Sequence, residues 1–150
     1  MTVSHAVSGA FIASALPNPL LYIPVALACH YAQDSIYHWD FGTGMTKAGT
    51  RSIKQTFILA ALDALLGIAL IALIWQQTPL DFNIHIWLGA FFCILPDLME
   101  MPHLFFKKDF LLTRPLERWH DFIHRSTSNI FLGILPQIII VLLICLIVKH

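Results

Sequence analysis

Charge is what this sequence has least of. Only 12% of its 150 residues are Asp, Glu, Lys or Arg, about half the ~25% of a typical soluble domain. With 57% hydrophobic residues, that scarcity excludes an ordinary water-soluble globule and predicts one integral membrane domain over residues 1–150. There is no excess of either sign, with nine basic residues against nine acidic. A nucleic-acid partner would find no basic footprint, and none is expected. Cysteine is scarce too. Cys29, Cys93 and Cys145 stand far apart in apolar runs, which excludes a disulfide framework and a CxxC zinc motif. They read as small core residues. The first segment lacks a basic stretch, so no cleaved signal peptide is expected.

The apolar runs predict an all-α, polytopic helical bundle of about five membrane helices, the first two a short hairpin. Val3 to Leu16 is about 21 Å long as a helix, short for a crossing. Pro17-Asn18-Pro19 breaks it, and Leu20 to Tyr37 forms the second helix. Residues 41–51 are a glycine-rich loop. Lys54 to Trp75 is the clearest span, interrupted by Asp63. Gln76 to Asn83 is a polar turn, and Ile84 to Phe106 is the fourth helix. Lys107 to Asn129 is polar, with a short helix starting near Pro115. Ile130 to Val148, with Pro136 inside, is the last span. Eight of the nine Lys and Arg fall in two segments, at Lys47, Arg51 and Lys54 and at Lys107, Lys108, Arg114, Arg118 and Arg125. The positive-inside rule makes both cytoplasmic.

Histidine is what the chain has in excess, with eight residues. His30, Asp34 and His38 follow one another at intervals of four, which on a helix is one face. Such groups at the end of an apolar helix are costly unless satisfied together. The five-helix topology brings His5, Asp40, Asp97, Glu100, His103, His120 and His124 to the same cytoplasmic level. Imidazoles mixed with carboxylates suit zinc, iron, manganese or nickel, with zinc the expected ion, and ionisable residues within spans default to functional sites. The expected first ligands are His5, Asp34, His38, Asp97 and His124. His30, Asp63 and Asp121 stand behind them, and His120 belongs to the ligand pool. Glu100 or Asp121 is the expected general base, and Arg125 an anion-holding fork. Each has a plainer reading. His5 can be an interfacial residue, and His120 with His124 a solvated face beside Asp121 and Arg125. Asp63 can be a hydrogen bond between helices or a partner of His30. Trp39, Trp75, Trp87 and Trp119 can be interface aromatics.

At these residues the chain resembles the predicted membrane-bound metal-dependent hydrolases, a bacterial and archaeal family of small helical membrane proteins. The matching pieces are Ser4-His5 with Gly9, His30 with Asp34, Leu95-Pro96-Asp97, and His124-Arg125 with Thr127. The family is itself similar to zinc-dependent phospholipases C, which implies an all-α metal site and phosphoester hydrolysis. The chain departs from the family pattern in three places. Met99, with Glu100 beside it, stands where the family has a second Asp. Ser128 stands where it has a His after Thr. The His-x-x-x-Asp helix comes early instead of last.

Three functions compete on this reading. One is a metal-dependent hydrolase at the cytoplasmic membrane interface of a bacterium or archaeon, acting on a lipid or phosphoester. Another is a non-enzymatic protein that binds or transports metal or protons through Asp63 and His30. Its path would need polarity in the outer halves of the helices, which offer only Asn18, His85 and Gln137. The third is a haem-binding cytochrome with paired axial histidines, which carboxylates among the histidines disfavour.

Overall fold

The computed structural model describes residues 2–40, 52–78, 82–106 and 114–149, with the side chains of 103–106 and 117 left out. The glycine-rich loop, Lys47, Arg51, Lys107, Lys108, Pro79 and the side chain of His103 lie outside the described residues. The described chain is all helical, with six helices: α1 Thr2–Ala15, α2 Pro19–Asp34, α3 Ile53–Trp75, α4 Ile84–Phe106, α5 Arg114–Ile123 and α6 Ile130–Val148.

Three of them, α3, α4 from Ile84 to Pro102, and α6, are long and apolar enough to cross a membrane. The hairpin helices are shorter. At 14 and 16 residues, α1 and α2 reach about 21 and 24 Å against a hydrocarbon core of about 30 Å.

The shorter of the two hairpin helices is the centre of the bundle. α1 packs against α2, α3, α4 and α6, and nine of its residues, from Val3 to Ala13, are buried. Its Gly, Ala and Ser side chains permit that closeness. Where α1 crosses α4, a Cβ on Gly9 would lie 2.2 Å from the Gly89 carbonyl oxygen, and one on Gly89 2.3 Å from the Gly9 oxygen. The buried apolar core, Ala6, Val7, Ala10, Ile71, Ile86, Ala90 and Ile144, gathers around this crossing.

Asp63 takes a different partner from the one expected. It is buried away from lipid, but it accepts a hydrogen bond from the backbone N–H of Val3 at 3.3 Å instead of meeting His30. The first N–H groups of a helix have no partner within it, and here a carboxylate from α3 serves the start of α1.

Trp39 is also not an interface aromatic. It is buried against α6, where its N–H donates to the Gly133 carbonyl at 3.1 Å and its carbonyl accepts from Gln137 at 2.8 Å. A Cβ on Gly133 would stand 2.3 Å from the Trp39 nitrogen. Trp75 and Trp87 are partly buried against the core, and Trp119 is exposed.

Candidate metal centre

Helix α2 ends at Asp34, so the predicted row of three on one helix holds for two of its members. Ser35 caps the helix in αR geometry, and residues 36–40 run on as an extended loop. That loop pairs with the segment following α5. His38 N donates to Arg125 O at 3.1 Å, Thr127 N to His38 O at 2.8 Å, and Arg125 N to Asp34 O at 2.9 Å. In extended chain, alternate side chains share a side. His38 and Asp40 therefore face the site while Trp39 turns to Gly133. His38 reaches the cluster by this clip and not by helical periodicity.

Asp34 is the hub of the cluster, and its two oxygens face different groups. Oδ2 lies 3.0 Å from His30 Nε2 and 2.6 Å from His120 Nε2. Asp97 Oδ1 joins that side, 3.7 Å from His30 and 3.9 Å from His120. Oδ1 lies 3.2 Å from His5 Nε2 and 3.6 Å from His38 Nε2. On that side His124 Nε2 is 3.1 Å from His38 Nε2 and 3.3 Å from Asp40 Oδ2. His30 and His120 bring their Nε2 atoms within 3.3 Å of each other.

The donor atoms form two groups able to hold a metal ion: His30, Asp34, Asp97 and His120, and Asp34, His38 and His124. Four ligands arranged tetrahedrally at ~2.0–2.1 Å from an ion stand about 3.3 Å apart. The contacts within the first group run from 2.6 to 3.9 Å, centred near that spacing. The donors are imidazoles and carboxylates, the set that zinc, manganese or iron accepts.

The tautomers give a second test of fit. His38 Nδ1 donates to the Ile36 carbonyl at 2.9 Å, which leaves the Nε2 lone pair aimed at Asp34 and His124. Burial pushes His38 below the ordinary imidazole value, which keeps that lone pair free. His120 Nδ1 is engaged by Glu100 Oε1, so its Nε2, facing a carboxylate oxygen, needs either a proton or a cation. Nδ1 bound to a carbonyl or carboxylate with Nε2 turned inward is the usual posture of a metal-ligating histidine. Without a metal, burial opposes charge on His120, but Asp34 and Glu100 outweigh it and push the group up to about 10.

The structure thus gathers His5, His30, Asp34, His38, Asp97, His120 and His124. His120 is buried, not part of a solvated face. Glu100 touches His120 directly. Asp121 does not join them, because it lies on the exposed side of α5. The Arg125 guanidinium stands 5.9 Å over the Tyr37 ring, and its part in the cluster is through its backbone. Asp40 is a member the spacing argument left out, although its alternation with His38 was readable in His38-Trp39-Asp40. A cavity of about 10 Å³ lies beside His5 and His38, also lined by Ser4, Gln33 and Gln137, near the lower bound for one water molecule.

Comparison with protein-family models finds no match, and comparisons with curated proteins and with solved structures find none either.

Proposed function

We propose that the chain is a metal-dependent hydrolase of the bacterial or archaeal cytoplasmic membrane, with its site at the cytoplasmic face and a lipid or phosphoester as substrate. The observation that carries this reading is Asp34, whose two oxygens each face their own set of imidazole and carboxylate donors. His30, Asp97 and His120 would hold a divalent ion with Asp34 on one side, and His38 and His124 on the other, a donor set suited to metal-assisted hydrolysis. Zinc is the best match to the spacing and donor set.

When bound, a divalent metal supplies Lewis acidity, making water more acidic and a phosphoryl or acyl oxygen more electrophilic at its centre. The chain's residues do the rest. Asp34 orients His30 and His120 through Oδ2 and His5 and His38 through Oδ1. Glu100 faces both His120 and the adjoining apolar cavity. It takes the proton from the attacking water and passes it to the leaving oxygen. In balance, the water oxygen bonds to phosphorus or the acyl carbon, the bond to the leaving oxygen breaks, and that oxygen gains the proton.

Five crossings belong to the same reading, with α1 sheltered within the bundle and α2 burying one face, Tyr22, Ala26, His30 and Asp34, against it. A purely structural cluster is the competing account, since Asp34 could accept N–H bonds from His5, His30 and His120. Transport finds less support, as the far-end His85 is occupied by the Tyr22 hydroxyl at 3.2 Å. The test is release of product from model phosphodiesters and esters by purified protein, metal-loaded against chelated. Metal-dependent turnover that Glu100→Gln abolishes with metal retained supports the reading. A metal-loaded protein inert to both substrate classes counts against it.

A further inference from the structure

Beside the cluster lies a cavity of about 310 Å³ between α2, α4 and α5. Its volume is at the low end of the ~300–1,000 Å³ of small-molecule sites. Leu27, Leu95, Pro96, Met99 and Leu116 make its apolar lining, and Tyr31, Glu100 and His120 are its polar members.

The polar members are ordered along the helices. Tyr31 follows Leu27, Glu100 follows Pro96, and His120 follows Leu116, each by four residues, one helical turn on the same face. α2 and α4 both carry their site residues at their C-terminal ends. Leu27, Leu95 and Pro96 therefore sit about one turn deeper in the bundle than Tyr31 and Glu100, with Met99 level with Glu100. A ligand filling the cavity has an apolar body in the bundle and one end against Glu100 and His120.

One wall of the cavity is formed by α5. Leu116, Trp119 and Phe122 are exposed there, Phe122 at 83%, on a short helix that also carries Arg114, Arg118 and Asp121. A helix with bulky apolar and charged residues so divided suits the plane of a membrane interface. Its inner face meanwhile supplies Leu116 and His120 to the cavity.

We infer that this cavity binds one acyl chain of a membrane phospholipid and so presents that lipid's ester or phosphoester linkage to Glu100 and His120. The inference rests on the hydrolase reading and narrows it to lipid substrates. At about 310 Å³ the space is on the scale of one small ligand, room for part of one chain. The apolar lining offers such a chain no polar partner along its length, and the polar end coincides with the chemistry.

The test uses the full chain in nanodiscs of phosphatidylcholine doped with phosphatidylglycerol carrying a diazirine midway along one acyl chain. After irradiation, adducts are mapped by mass spectrometry. Adducts are expected on Leu27, Tyr31, Leu95 or Met99, besides those on the lipid-facing residues Leu62, Leu65 and Leu73 of α3. Leu27→Trp, which fills the cavity, should abolish the cavity adducts while the α3 adducts and the metal content stay unchanged. Leu116→Trp, at a half-exposed position, provides a second blocking variant should the first fold poorly. Labelling on α3 with none in the cavity overturns the inference, as do cavity adducts that survive both variants. Cavity labelling by a photoreactive free fatty acid but not by the phospholipid also overturns it. Metal content is read separately. Cavity adducts in a chain that binds no metal sink the hydrolase reading alone, and metal without cavity adducts sinks the acyl-chain site alone.

Discussion

Asp34 and His120 are 86 residues apart in sequence, yet the His120 Nε2 stands 2.6 Å from an Asp34 oxygen, and the other His120 nitrogen is held by Glu100. Helices α2, α4 and α5 are tied at this one imidazole, which is both the centre of the proposed metal site and the wall of the apolar cavity.

Metal affinity should depend on pH with a definite sign. In the metal-free chain the two carboxylates hold His120 protonated up to about 10. A metal must displace that proton, so its apparent affinity falls as pH falls below that value, by about tenfold per unit from His120 alone and more steeply where further ligands take up protons. Zinc titrations at several pH values, monitored by a competing chelator, measure the slope. A pH-independent affinity would place the metal away from His120.

Backbone contacts should be the most sensitive packing points. Gly9→Ala and Gly133→Ala would drive a methyl group into the Gly89 carbonyl and the Trp39 backbone. Each should destabilise by about 1–3 kcal/mol, and the Gly133 variant should also displace His38. At Gly67 the added carbon would meet Val3 at an ordinary 3.4 Å. Gly67→Ala should therefore be neutral or gain up to ~1 kcal/mol from helix propensity. Thermal unfolding in detergent ranks the three.

Asp63 serves the start of α1 and not the metal. Asp63→Asn keeps an acceptor for the Val3 N–H and should cost little, whereas Asp63→Leu should lose about 0.5–2 kcal/mol, as for a missing helix cap. Metal content should be unchanged in both. Equal loss of metal from the two would assign Asp63 to the site.

Topology follows from the basic residues. Reporter fusions at Gly44 and at Lys108 should both read cytoplasmic, because eight of the nine Lys and Arg flank these positions. An outside reading at either point rejects the five-crossing arrangement.

Much of the site was legible because it depends on local period. His30 with Asp34, and His120 with His124, are pairs that one helical turn brings together, and His124 N still bonds to His120 O at 2.8 Å just past the end of α5. His38 misled the helical reading, because its spacing of four continues the row while the chain there is extended. What ends the helix is a tertiary event, the pairing of residues 38 and 125–127, which no periodicity reveals. The partner of Asp63 was hidden for a related reason. The sequence shows that a buried carboxylate needs a donor, but here the donor is a backbone N–H, which every residue but proline carries. The apolar cavity was invisible as well, since Leu27, Leu95 and Leu116 differ from lipid-facing leucines only in what stands across from them.

The most direct test is the metal content of the protein purified without chelators, measured by elemental mass spectrometry on the wild type, Asp34→Ala and His85→Ala. The wild type should carry up to two divalent ions per chain, chiefly zinc, one for each donor group sharing Asp34. Asp34→Ala should lose them, while His85→Ala, altered at the far end of the bundle beside Tyr22, should retain them. A wild type that holds no stoichiometric metal and takes up none when zinc is supplied would contradict the account. It would leave Asp34 as the acceptor of a hydrogen-bonded histidine cluster.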